Sequence, residues 1–314
     1  MTAQVCVYSG QALASYNFGP SHPFGPQRHD AFVREFQRQG LHQHVCMCEP
    51  VMADVASINA FHTKAYIEKV IELSNTGTGL LDAGDTPAFM GMYEATRYVA
   101  GSVLDGIDRI INGQCTHVFV PIAGLHHARR DSAAGFCVFN DCGIAIEALR
   151  REYSIRKIAY IDIDAHHGDG VFYAFEDDPE LCFVDFHQDG RTLYPGTGTL
   201  GETGIADAVG SKMNVPMPPG ANDELLMRMW PAAEAFITKA QPEFIILQAG
   251  ADSLDGDPIT QMQYTESVHG FVTTRLKALA KTHCDGRLIA LGGGGYDLNN
   301  LSMAWSAVVK ALLN

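Results

Sequence analysis

Lys157-Ile-Ala-Tyr-Ile-Asp162 runs into Ile163-Asp164-Ala165-His166-His167-Gly168-Asp169-Gly170, so an apolar, β-branched stretch stops at a cluster of ionisable residues and glycine. A short apolar run bounded in this way reads as a buried strand, and the polar residues behind it as the loop at its carboxyl end. Seven other runs repeat the pattern, at residues 5–8, 44–48, 117–121, 181–185, 212–215, 244–248 and 287–291. Between them lie stretches of helical period. Met92, Thr96, Val99, Val103 and Ile107 form one stripe; Val268, Phe271, Val272, Arg275, Leu276 and Leu279 form another. Short buried strands alternating with amphipathic helices predict an α/β fold, with a mainly parallel eight-stranded sheet covered on both faces. No Pro, Gly or Ser run resembles a linker and no segment repeats, so a single domain over residues 1–314 is expected.

Composition narrows the partners. The chain has 314 residues and a formal charge of -14, from 22 Lys+Arg against 36 Asp+Glu. Nucleic-acid affinity comes mainly from cationic neutralisation of phosphates, so a nucleic-acid partner is not expected. A basic protein or a polyamine as substrate is compatible with that charge. No apolar stretch approaches the 18 residues of a membrane span, so no membrane partner is expected. Met-Thr-Ala-Gln-Val-Cys6 opens the chain without a basic n-region, and the eight cysteines are scattered. Both features predict a reduced, cytoplasmic protein. Oligomeric state is not legible.

In open α/β sheets ligands bind beyond the carboxyl ends of the strands. Five strands here deliver unusual residues to that edge: Gly124-Leu-His126-His127, the Asp164 to Gly170 segment, His187, Ala249-Gly-Ala-Asp252, and Gly292-Gly-Gly-Gly-Tyr296-Asp297. Asp164 and His166 stand two apart, so on an extended segment both side chains point one way and can share a metal ion. Asp252 from another strand would complete three ligands, leaving a position for water as in a catalytic site. Two aspartates and an imidazole suit Zn²⁺, with Fe²⁺ or Mn²⁺ as substitutes. A lone Asp-x-His would equally suit a helix cap.

His126 and His127 need partners if buried, and Asp162 and Asp169 are the candidates. Such pairing fixes the tautomer and makes a general base. Gly292 to Gly295 could cradle a phosphate, but no Lys and Ser/Thr follow; the run is expected to be a flexible turn presenting the Tyr296 hydroxyl to an oxyanion. His42, His44, Cys46 and Cys48 alternate as in a plain strand. Cys137 and Cys142 are expected to be packed rather than nucleophilic.

Gly124-Leu-His126-His127-Ala, Gly135-Phe136-Cys-Val-Phe-Asn140-Asp141, Asp162-Ile-Asp164-Ala-His166-His167-Gly-Asp169-Gly, Tyr194-Pro-Gly-Thr-Gly, Ala-Gly-Ala-Asp252 and Leu-Gly-Gly-Gly-Gly-Tyr296 together resemble the zinc-dependent histone deacetylase family. That family includes bacterial deacetylase-like amidohydrolases, acetoin-utilisation proteins and acetylpolyamine amidohydrolases. The resemblance covers essentially the whole chain and implies the arginase/deacetylase fold, a three-layer α/β/α arrangement.

The resemblance also implies roles: Asp164, His166 and Asp252 as Zn²⁺ ligands, His127 with Asp169 as general base and then acid, His126 with Asp162 beside the water, and Tyr296 at the oxyanion. Gly135, Phe136 and Tyr194 would line a tunnel for an acylated alkylamine, and Asp85 would bind the substrate backbone. A K⁺ ion would sit among carbonyls around Asp162, Asp164, His166, Asp185 and Phe186. Ile259 occupies the rim position where a polyamine-preferring member can carry an acid, which favours acyl-lysine proteins or peptides over acetylpolyamines. The expected activity is therefore zinc-dependent removal of short acyl groups from lysine. The rivals are an acetylpolyamine amidohydrolase, a dinuclear Mn²⁺ ureohydrolase and a non-catalytic acyl-amine sensor.

Overall fold

Eight strands form one all-parallel sheet in the computed structural model, which describes residues 5–314. In chain order they are β1 (Val5–Tyr8), β2 (Cys46–Cys48), β3 (His117–Val120), β4 (Ile158–Asp162), β5 (Leu181–Gln188), β6 (Lys212–Met217), β7 (Phe244–Gln248) and β8 (Leu288–Leu291). Across the sheet the order is β2-β1-β3-β8-β7-β4-β5-β6. Every residue of the six inner strands is buried; only the two edge strands carry partly exposed positions. A parallel sheet covered on both faces requires such continuous apolar strands.

The helices are α1 (Gln11–Ala14), α2 (Gln27–Arg38), α3 (Val55–Asn59), α4 (Lys64–Thr76), α5 (Met92–Ile111), α6 (Asp141–Tyr153), α7 (Asp169–Ala174), α8 (Asp223–Ala240), α9 (Glu266–His283) and α10 (Leu298–Leu313). α10 packs on α2 and α9, and α9 on α8, while α5 packs on α4 and α6. The result is a three-layer α/β/α arrangement.

Topology fixes where a ligand can bind. From β4 the chain moves outward through β5 to β6, then returns to β7 on the other side of β4 and continues to β8. The loops leaving the adjacent strands β4 and β7 therefore diverge, which opens a crevice at their carboxyl ends.

Two expectations need correction. The run 44–48 contributes only Cys46–Cys48 to the sheet, because Leu41–Gln43 form a 3-10 turn whose end is His44. The four alternating His and Cys residues therefore do not share a strand. Strand 181–185 extends to Gln188, so His187 lies inside β5 rather than after it.

Close backbone approach sets the position of α5. A Cβ on Gly101 would lie 2.2 Å from both Ala53 N and Val51 O. The segment is tied there by Ala53 N donating to Arg97 O at 3.0 Å and Val51 N donating to Ser102 Oγ at 3.2 Å. Gly101→Ala is expected to lower stability by about 1–3 kcal/mol through overpacking. Gly270→Ala in α9, where a Cβ meets nothing within 4 Å, is expected to raise it by roughly 0.4–1 kcal/mol. Urea unfolding of the two variants would check the contrast.

Candidate metal and proton-transfer site

Asp164 and His166 follow β4, Asp252 follows β7, and one ligand atom from each lies within 4.8 Å of the other two. All three residues are buried. His166 Nδ1 faces Asp164 Oδ1 at 3.0 Å and Asp252 Oδ2 at 3.1 Å. The convergence does not come from strand alternation, as expected from spacing. Residues 164–166 lie on a bend, where Asp164 Oδ1 accepts a hydrogen bond from His166 N at 3.0 Å. Burial and the Asp164 carboxylate push Asp252 up. Two buried carboxylates at one point both stay ionised only beside a cation, so this donor set fits a divalent metal.

Two imidazoles flank that point. His126 Nδ1 bonds Asp162 Oδ2 at 2.8 Å, and His127 Nδ1 bonds Asp169 Oδ1 at 2.7 Å. Their Nε2 atoms stand 3.1 Å apart, a contact that requires one proton between the rings. Burial and the neighbouring His126 lower His127 to about 4. A neutral His127 can therefore accept a proton, with Asp169 holding the opposite nitrogen.

Glycines bring the walls close. A Cβ on Gly135 would lie 2.4 Å from His127 Cδ2, and one on Gly294 would lie 2.1 Å from Asp252 Oδ2. The Gly292 to Gly295 run is thus a packed loop rather than a flexible turn: Gly294 N donates to Asp164 Oδ2 at 2.9 Å, and Gly293 and Gly295 have φ of 74° and 121°. Tyr296 follows directly, with its N donating to Asp257 Oδ2 at 2.9 Å and its ring edge-on to Phe136 at 5.7 Å.

The remaining expected residues divide between site and surroundings. Tyr194, 45% exposed, packs its ring 5.2 Å from that of His127 and 6.4 Å from that of His166. Phe136 packs against His22, whose Nε2 lies 3.1 Å from the exposed Asp85's carbonyl. Asp85, Arg129 and Tyr194 line one open depression. Ile259 is half-buried, and its N donates to Asp257 Oδ1 at 3.0 Å on the segment that also holds Tyr296. Asp185 lies beside Asp162 in register, takes Gly168 N at 2.8 Å and bonds His187 at 2.7 Å. His187 is consequently committed inside the sheet. Phe186 stacks on Trp230, so its side chain points away from the crevice into the core. Cys137 and Cys142 are buried, as expected for packing residues.

Four positioning residues escaped sequence reasoning. Asp141, at the start of α6, accepts from Gly124 N at 2.7 Å and Leu125 N at 2.6 Å, which anchors the loop bearing both histidines. Gln248, the last residue of β7, donates to Asp164 Oδ2 at 2.9 Å and accepts from Gly250 N at 2.7 Å. Asp257 anchors Tyr296 as described. Arg28 is buried beneath the glycine loop and donates to Gly295 O at 2.9 Å and Gly293 O at 2.6 Å, with its guanidinium 3.9 Å from the Phe24 ring centroid. One signal was available: Arg28 falls on the apolar stripe of α2 with Phe32 and Phe36, where an unpaired cation is costly.

Comparison with known proteins identifies the family and the fold. The histone deacetylase domain family matches residues 22–312. The chain is similar to the acetoin utilization protein AcuC of Bacillus subtilis (strain 168), 34% identical over 99% of this chain and 80% of that protein. It is similar to a probable deacetylase of Archaeoglobus fulgidus, 32% identical over 89% of this chain and 77% of that one. Histone deacetylase B of Dictyostelium discoideum is 30% identical over 96% of this chain and 72% of its own. Among solved structures, the HDA15 HD domain superposes with a TM-score of 0.90 at 25% identity, covering 99% of this chain and 90% of that one.

Gly294→Ala is expected to displace the Asp252 carboxylate and weaken binding of a divalent cation by about 10–100-fold, the range seen when groups that orient metal ligands are lost. Equilibrium dialysis with Zn²⁺ would measure it, with Asp252→Asn as the reference for direct loss of a ligand.

Proposed function

We propose that this chain, which belongs to the histone deacetylase family, is a zinc-dependent hydrolase that removes acetyl or another short acyl group from the ε-amine of lysine in proteins or peptides. The observation that carries the reading is the meeting of Asp164, His166 and Asp252 within 4.8 Å, beside two histidine–aspartate pairs. A divalent ion there supplies Lewis acidity that polarises the amide carbonyl and lowers the pKa of water. Two carboxylates and one imidazole suit Zn²⁺, with Fe²⁺ or Mn²⁺ as substitutes.

The protein's own groups carry the remaining work. His127 takes a proton from the attacking water and returns it to the departing nitrogen, so the C–N bond breaks to give a carboxylate and a protonated amine. Asp169 orients His127 and stabilises its charge while it carries that proton, and the His126–Asp162 pair holds the second imidazole against it. The Tyr296 hydroxyl donates to the oxygen that gains negative charge. Phe136 and Tyr194 flank a narrow alkyl stem, Gly135 lets the wall approach His127, and Asp85 on the rim accepts from the backbone of the substrate. Ile259 adds no second anion for a distal ammonium, which supports acyl-lysine over an acetylpolyamine.

The same reading includes K⁺ at the ends of β4 and β5, around Asp162, Asp164, His166, Asp185 and Phe186, where Asp162 and Asp185 bury two carboxylates in register. It includes one catalytic domain, supported by one sheet drawing strands from residues 5 to 291. It also includes a reducing, cytoplasmic setting, in keeping with eight free cysteines; no helix among the described residues is long and apolar enough to cross a membrane.

Turnover of acetyl-lysine peptides, acetylputrescine and acetylspermidine by the zinc-loaded protein tests the substrate class. Peptides are expected to be preferred, and faster turnover of the polyamines would reverse the assignment. Tyr296→Phe is expected to reduce kcat by about 10²–10³-fold without loss of bound zinc. Full activity in that variant would remove Tyr296 from the reaction. Gly135→Ala, which pushes on the His127 ring, is expected to reduce kcat at unchanged metal content.

A further inference from the structure

Four of the eight cysteines gather at the β2 side of the sheet, away from the β4–β7 crevice. Cys6 on β1 and Cys46 on β2 are register partners, and Cys48 follows two residues along β2. The period of two puts Cys46 and Cys48 on one face of the strand, and the three sulfurs lie within 4.8 Å of one another. Cys115, in the connection between α5 and β3, neighbours Cys6.

We propose that Cys6, Cys46 and Cys48 form a second metal site, a thiolate site for a soft or borderline divalent ion such as Zn²⁺, with Cys115 as the bordering fourth sulfur. The donor set is all sulfur, whereas the crevice offers two carboxylates and an imidazole, so the two centres differ in ligand chemistry as well as place. Any single disulfide among the trio would leave its third thiol unpaired; a cation engages all three. Cys6 and Cys48 are buried and Cys46 is partly exposed on the edge strand, so the site is shielded yet open on one side. The role is structural: the ion would join edge strand β2 to β1, in a pairing only three residues long.

Cobalt distinguishes the centres, since only the sulfur site gives thiolate-to-cobalt charge-transfer absorption. The reduced, metal-free full chain titrated with Co²⁺ is expected to bind two equivalents and to develop that band. The C46S/C48S double variant is expected to bind one equivalent without the band and to hydrolyse acetyl-lysine peptide at the wild-type rate once zinc-loaded. Asp252→Asn is expected to keep the band and lose hydrolysis, so failure at one centre is read separately from failure at the other. In the wild-type chain, Zn²⁺ is expected to slow alkylation of Cys46 by at least about tenfold, which serves if the double variant does not fold. Absence of the band in wild type, its persistence in the double variant, or equal alkylation with and without Zn²⁺ would overturn the site.

Discussion

Asp164 and Asp252 place two carboxylates at one buried point, and much of the surrounding structure exists to make that tolerable. Unpaired buried charges of like sign are costly, and burial alone would drive one of them to take a proton. Here donors from several elements converge on them. Ala165 N donates to Asp252 Oδ1 at 2.8 Å, Gln248 Nε2 and Gly294 N each reach Asp164 Oδ2 at 2.9 Å, and His166 faces both carboxylates. Room for those donors depends on missing side chains: a Cβ on Gly250 would lie 2.0 Å from Asp164 Oδ2. The glycines of these loops are thus consequences of the charge they surround.

The two histidine–aspartate pairs extend the same constraint outward. Asp169 opens α7 while His127 leaves β3, so their hydrogen bond joins loops from different parts of the sheet. Asp141 and Asn140 at the start of α6 grip the histidine loop from behind. Asn140 donates to Ala128 O at 2.8 Å while its Oδ1 caps the helix through Gly143 N at 2.8 Å. A helix N-terminus, a strand end and a loop therefore fix one imidazole, and its position is set by the fold before any ligand arrives.

Much of this was legible in the residues. The strand at 244–248 and the order of helix and strand follow from apolar periodicity, because an inner parallel strand has no polar face to confuse the pattern. The edges were less legible. At 44–48 alternation suggested a longer strand, but an edge strand is fixed on one side only, and the chain turns at Leu41–Gln43 instead. Among site residues, Asp, His and Tyr beyond strand ends announce themselves by type. Arg28, Gln248 and Asp141 do not, because their importance lies in which backbone groups they meet across more than a hundred residues or across a loop. Local spacing carries no record of those meetings. The bend at 164–166 shows the same limit: the expected shared direction of the two side chains had the wrong local cause, because an aspartate bonding a backbone N two residues on replaces strand geometry.

The division between rigid and exposed parts then separates chemistry from selectivity. Asp164, His166, Asp252, His126 and His127 stand beyond strand ends and are buried, so side-chain changes there meet backbone and carboxylates at once. Asp85 and Tyr194 stand on irregular segments that are largely exposed, where substitutions disturb little packing. Such a rim can vary while the buried centre stays as it is. Ile259 N and Tyr296 N both donate to the Asp257 carboxylate, one to each oxygen, so a single aspartate ties the partly exposed 257–259 segment to the residue that follows the glycine run. A change of Asp257 would release both backbone groups together, which couples the 257–259 segment to the glycine loop at this one position.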